Sequence, residues 1–134
     1  MKDKIIRFFY QDRYAVHSGI ELVDVEPGYA LTKMEIKEYH LNAAGIVQGG
    51  AIFTLADLAF AAASNATGHM TLALNASISF FKPGLGEYLQ AEARQVSDTR
   101  RTCFYEIKVT DARGDLVALF NGTGFKKDKT INFE

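Results

Sequence analysis

The chain has 134 residues, with 15 Lys and Arg against 16 Asp and Glu, 48% hydrophobic residues and one cysteine, Cys103. That length gives a single domain, 1–134, able to bury one core. A net charge of −1 offers no field for nucleic acid or an anionic membrane, and the lone cysteine excludes a disulfide framework and fits a reducing cytosol.

The opening residues MKDKIIRFFYQDRYA lack the long apolar core and small-residue cleavage site of a signal peptide. KDKIIRFFYQDRYAVHSG carries apolar residues at 5, 6, 8, 9 and 10 and then Gly19, which predicts a short amphipathic helix. IELVDVEPGYALTKMEIKEYHLN divides around Pro27 and Gly28 into two strand-like halves. The Gly49–Gly50 pair then opens an apolar run, Ala51 to Ala66, interrupted only by Thr54, Asp57, Ser64 and Asn65. The run is too short for a membrane span and carries an acid, so it predicts a buried helix ending near Gly68. Strand candidates follow at 70–81, 87–97, 102–110 and 115–126, separated by KPGLG, SDTRR and DARGD. Short connections predict an antiparallel meander. No repeat or linker divides the chain.

A helix that is apolar all round must be surrounded. Either the sheet curls around it or a second copy covers what remains. The expected architecture is α+β, a strongly bent antiparallel sheet wrapped around a long central helix. Gly84, Gly86, Gly122 and Gly124 are candidates for local bends, and exposed strand edges favour a dimer.

The stretch HLNAAGIVQGGAIFTLADLAFAAASN resembles the signature of the hotdog-fold acyl-CoA thioesterases, in their phenylacetate-pathway (PaaI-like) branch. That pattern has Asn, then Gly, then a His-Gly-Gly opening the central helix, then Leu-Ala-Asp. The likeness continues through GIELVDVEPGYA, ISFFKPG and AEARQVSDTRRTCFYEIKVTDARGDLVALFNGTGF. It implies a hotdog dimer, often paired again into a tetramer. It also implies hydrolysis of an aromatic or fatty acyl-CoA to the free acid and CoA, with no metal or redox cofactor and no nucleic-acid or membrane partner. A cytoplasmic location is expected.

The residues permit that chemistry. N–H groups at a helix N-terminus are unsatisfied donors with a favourable dipole, and two glycines let a carbonyl approach closely. Gly49 and Gly50 thus make an oxyanion site or merely a tight turn; the resemblance gives the role to the Gly49 amide. A carboxylate in an apolar helix costs several kcal/mol unless paired or hydrogen-bonded. Asp57 is either satisfied by backbone or water, or reactive; the resemblance puts it on the catalytic acidic position, as nucleophile or general base. Asn42 matches the family's asparagine, which can orient a water or the thioester. Gln48 is the main departure: the family usually has histidine there, and glutamine positions but cannot titrate near neutrality. Ala73 and Asn75 fall where relatives often carry polar or acidic lining residues.

For the CoA end, Lys82, Arg100 and Arg101 lie at strand ends where family members bind nucleotide phosphates, unless they are solvated loop charges. Gly50, Phe53 and Asn75 are expected to bind substrate; Phe53, Phe60, Phe80 and Phe81 are the candidates for an apolar acyl pocket, most of them being expected as core. His40 and His69 flank the motif without a nameable partner. Asp57 lies about 12 Å along the helix from the glycines, whereas a reacting carbonyl needs donor and nucleophile within about 3 Å. Two antiparallel helices across a dimer axis remove the conflict, so active sites shared between subunits are expected. Two other readings remain: a non-catalytic acyl-CoA-binding hotdog protein, and a hydratase or dehydratase. The last needs a paired histidine and acid, for which His40 is the only nearby substitute.

Overall fold

The computed structural model describes residues 1–134. The N-terminal segment forms two helices, α1 (Lys2–Phe9) and α2 (Arg13–His17), where one was expected. The break falls at Asp12, whose Oδ1 accepts the Ala15 N–H at 3.1 Å and starts α2 afresh. Strands β1 (Ile20–Glu26) and β2 (Tyr29–Glu35) follow, then a 3-10 turn (Glu38–His40) and the central helix α3 (Gly49–Asn65). The remaining strands are β3 (His69–Phe80), β4 (Tyr88–Asp98), β5 (Thr102–Asp111) and β6 (Leu116–Thr130).

The six strands form one antiparallel sheet in the order β1-β2-β4-β5-β6-β3. The predicted meander holds for β4, β5 and β6 only. β3 pairs with β6 at the far edge and not with β4, because both edges of β4 are taken by β2 and β5. KPGLG is therefore a crossover: Phe81 N–H bonds Val117 O, and Val47 N–H bonds Gly84 O.

α3 lies in the curve of the sheet. Leu55, Ala56, Ala59, Ala62 and Ala63 are fully enclosed, and the four alanines let the helix approach closely. Two buried hydroxyls fasten it: Thr32 donates to Leu55 O at 2.9 Å and Tyr105 to Ala63 O at 3.4 Å. Gly122 and Gly124 serve close approach more than bending. A Cβ at Gly122 would sit 2.9 Å from the Phe60 ring, and one at Gly124 would sit 2.7 Å from Thr71 Cγ2. The register of β6 against β5 and β3 is unbroken at Gly122; the β3–β6 pairing shifts instead between His69 and Thr71 and between Ala73 and Asn75.

The sheet does not enclose the whole helix. Gly50, Phe53, Thr54, Asp57 and Ala61, spaced three and four apart, form a stripe that is exposed or only half-buried. No helix is long and apolar enough to cross a membrane.

Candidate active site

The first turn of α3 uses almost all of its donors. Gln48 is the N-cap, and its carbonyl accepts the Ala51 N–H at 2.9 Å and the Ile52 N–H at 3.3 Å. Its side-chain Oε1 accepts the Gly50 N–H at 2.7 Å. The Gly49 N–H is left without an acceptor in the chain, at the positive end of the helix dipole. Gly49 is only half-buried and lines a cleft of about 320 Å³ with Asn42, Ile52, Phe80, Phe81 and Lys82. A Cβ at Gly49 would meet the Phe80 ring at 3.2 Å, so glycine is what admits both the ring and a ligand atom.

Gln48 and Gly50 face the other way. With Thr54, Tyr14, Tyr39 and Leu41 they line a larger cavity of about 650 Å³. The Gly50 amide, expected as part of the substrate site, is occupied by Gln48.

Asn42 organises its own loop. Its Oδ1 accepts the N–H groups of Ala44 at 2.9 Å and Ile46 at 3.3 Å, which leaves Nδ2 as the group able to reach a substrate in the cleft. His40 is a buried structural residue. Its Nδ1 accepts the Lys37 N–H at 2.9 Å, so Nε2 carries the proton and donates to Ser18 O at 2.6 Å. With both ring nitrogens engaged, His40 has no free nitrogen for acid–base work, which removes the residue a hydratase would need. His40 O in turn accepts the Gln48 N–H at 2.8 Å, so the histidine anchors the approach to the glycine turn.

Asp57 sits in the open stripe of α3, half-buried and without a hydrogen-bond partner in its own chain. Burial pushes its carboxyl above the ordinary carboxylate range, and the nearby charge of Asp12 adds to the effect. An uncompensated, desolvated carboxylate is a stronger base than an exposed one. Phe53, on the same stripe, packs against Phe120 with ring centroids 5.1 Å apart. Phe60 is core, while Phe80 and Phe81 are exposed at the Gly49 cleft.

Asn75 stands opposite Thr123. Since Gly122 and Gly124 face α3, Thr123 and Asn75 share the outer face of the sheet. One chain thus does not bring Asn75 to Asp57. The expected phosphate cations divide. Lys82 is already paired, at 2.9 Å to Asp111 and 3.1 Å to Asp115, and serves to close the β5–β6 turn. Arg100 and Arg101 line a second cleft, of about 230 Å³, with His69, Lys126, Lys127 and Asp128. Arg101 is bound to Asp128 at 2.8 Å and Lys126 to Asp98, so Arg100 and Lys127 carry the unpaired charge. Sequence reasoning missed Lys126 and Lys127; the KKDK run beyond Phe125 was the available signal. It also missed Asp12, whose link to Asp57 exists only through the packing of α2 on α3.

A six-stranded curved antiparallel sheet around one long helix is the hotdog arrangement. Residues 44–118 match the thioesterase superfamily model. The chain is 42% identical over 128 residues to a putative esterase of Archaeoglobus fulgidus, covering 94% of this chain and 83% of that one. It is 32% identical to the acyl-coenzyme A thioesterase PaaI of Escherichia coli, covering 94% and 91%. The solved structure of E. coli PaaI superposes with a TM-score of 0.90 at 29% identity, over 98% of this chain and 99% of that one. A Streptococcus mutans protein solved with acetyl-CoA superposes at 0.78 and 33% identity, over 84% and 91%. The chain belongs to the thioesterase superfamily.

Proposed function

We propose that the protein hydrolyses an acyl-CoA to the free acid and CoA in a cytoplasmic setting, with each active site shared between two subunits. The observation that carries this reading is that one helix holds one free amide, Gly49 N–H at its start, and one unpartnered carboxylate, Asp57 on its open stripe. The two are too far apart in one chain to meet but able to meet across two antiparallel copies. The thioester oxygen sits at the Gly49 N–H. Water attacks the carbonyl carbon while Asp57 takes its proton, or Asp57 itself attacks and water then cleaves the anhydride. The oxyanion gathers at the amide. Its collapse breaks the C–S bond and releases the CoA thiolate. In the first route the thiolate takes back the proton that Asp57 removed from water. In the second it leaves as the anhydride forms and is protonated by the water that then cleaves the anhydride. Gln48 holds the turn, and Asn42 Nδ2 steadies the water or the thioester. Likeness to PaaI and to a relative solved with acetyl-CoA supports CoA as the carrier.

Dimerisation is supported by two surfaces. β3 is a 12-residue edge strand exposed along most of its length, with Leu72, Leu74 and Phe80 uncovered. The α3 stripe is the second. Antiparallel pairing of two β3 edges sets the His69 end of one against the Phe80 end of the other. In one chain these ends lie about 36 Å apart along the strand. In such a dimer the Arg100 and Lys127 cluster approaches the other subunit's Gly49 cleft and supplies the phosphate site, and Asn75 comes to the shared edge. A pair of such dimers gives the expected tetramer. The test is free-thiol release from a panel of aromatic, medium-chain and long-chain acyl-CoAs. Turnover of one class at micromolar concentration is expected, and no thiol release across the panel refutes the reading.

A further inference from the structure

The two glycines that open α3 differ in what surrounds them. A Cβ at Gly50 would lie 2.5 Å from Gln48 Oε1, the same atom that holds the Gly50 N–H at 2.7 Å. Gly50 is therefore a seat for the Gln48 side chain. Gly49 instead borders Phe80 and the Asn42 cleft, and Gln48 lies on the opposite side of the turn, in the larger cavity. Two adjacent free amides would divide between the thioester oxygen and solvent, and an uncapped first turn would fray.

We propose that Gln48 is a positioning residue that selects the oxyanion donor. By holding the Gly50 N–H it leaves Gly49 N–H as the only free donor of the first turn, and it fixes the turn that aims this donor into the Asn42–Phe80 cleft. The proposal rests on the acyl-CoA thioesterase reading. A titratable side chain is not required in this role, because the cap needs only an acceptor oxygen of the right reach. Glutamine supplies it without charge, whereas glutamate would supply it with a negative charge beside the developing oxyanion.

The experiment measures amide hydrogen exchange at Gly49 and Gly50 on the assembled protein, with and without a non-hydrolysable acyl-CoA thioether. Steady-state hydrolysis is measured alongside. In the wild type the Gly50 amide is protected before ligand and unchanged by it, while the Gly49 amide is open and gains protection on binding. Gln48→Ala opens Gly50 and lowers kcat about tenfold with KM within about twofold. Gln48→Glu restores protection at Gly50 but leaves kcat low, a split that a purely structural role would not produce. Protection of Gly50 by the thioether in the wild type, or wild-type kcat in Gln48→Ala, overturns the proposal while hydrolysis by the wild type stands. Should Gln48→Ala fail to fold, the wild-type exchange pattern and Gln48→Glu still decide. A wild type that hydrolyses no acyl-CoA overturns the reading beneath it as well.

Discussion

Asp57→Asn separates activity from stability in opposite directions. The substitution keeps the shape and part of the hydrogen-bonding capacity of a half-buried side chain that has no partner within its chain. Hydrolysis falls at least about a hundredfold, the lower end of what a positioned base contributes. Stability follows from the raised carboxyl. A group whose folded pKa lies above its unfolded value favours the fold most below the unfolded pKa, near 4 for aspartate, and loses that contribution as pH rises through the folded pKa. Burial, and then the charge of Asp12, raise this carboxyl. Wild-type protein at pH 7 therefore carries a disfavoured charge that the asparagine variant lacks. The variant melts at an equal or higher temperature at pH 7, and the difference closes at about pH 4. Thermal melts across that range, with acyl-CoA turnover at each pH, are the assay. Near-normal turnover refutes the catalytic role. A variant less stable than wild type at pH 7 refutes the uncompensated charge.

Three further outcomes test individual parts of the site. Asp12→Asn keeps the α2 cap, since asparagine caps as well as aspartate, and removes the second cause of the Asp57 shift. The acid limb of kcat/KM should move to lower pH, and an unmoved limb contradicts the coupling. Arg100→Ala with Lys127→Ala raises KM for acyl-CoA about tenfold, the equivalent of one lost charge-assisted hydrogen bond. The effect shrinks at high salt and is absent for a pantetheine thioester without nucleotide; equal loss on both substrates contradicts phosphate contact. Lys82→Met leaves KM within about twofold because its charge is held by Asp111 and Asp115. It lowers the melting temperature, and a large KM change would restore Lys82 as a phosphate-binding cation.

The fold was legible where periodicity and punctuation agree. The apolar run after Gly49–Gly50 has one meaning for a chain of this size, and Pro27–Gly28 marks the first hairpin. The sheet order was not legible, because strand adjacency for β3 depends on which edges are already filled. A motif singled out the glycine turn and Asp57, and the structure leaves the Gly49 N–H without an acceptor and the Asp57 carboxyl without a partner in its chain. What sequence spacing could not carry was the state of each polar atom. Gln48 takes the Gly50 amide, Asn42 Oδ1 is used by its own loop, His40 has both nitrogens engaged, and Lys82 is paired. Those are facts of side-chain direction, set by the cap, the 3-10 turn and the β5–β6 turn. Lys127 was hidden because a basic run at a strand end reads as a solvated face until the β4–β5 loop folds beside it.

The shared site carries the whole proposed mechanism, and subunit exchange tests it most directly. Asp57→Asn and Gly49→Pro, the second deleting the donor N–H, are each prepared as folded, inactive homo-oligomers. Subunits are then exchanged and heterodimers isolated. Each heterodimer holds one site with both defects and one with neither. Hydrolysis should return at about half the wild-type rate per dimer, the share of one intact site in two. Verified heterodimers that stay inactive would mean that Gly49 and Asp57 act from the same chain.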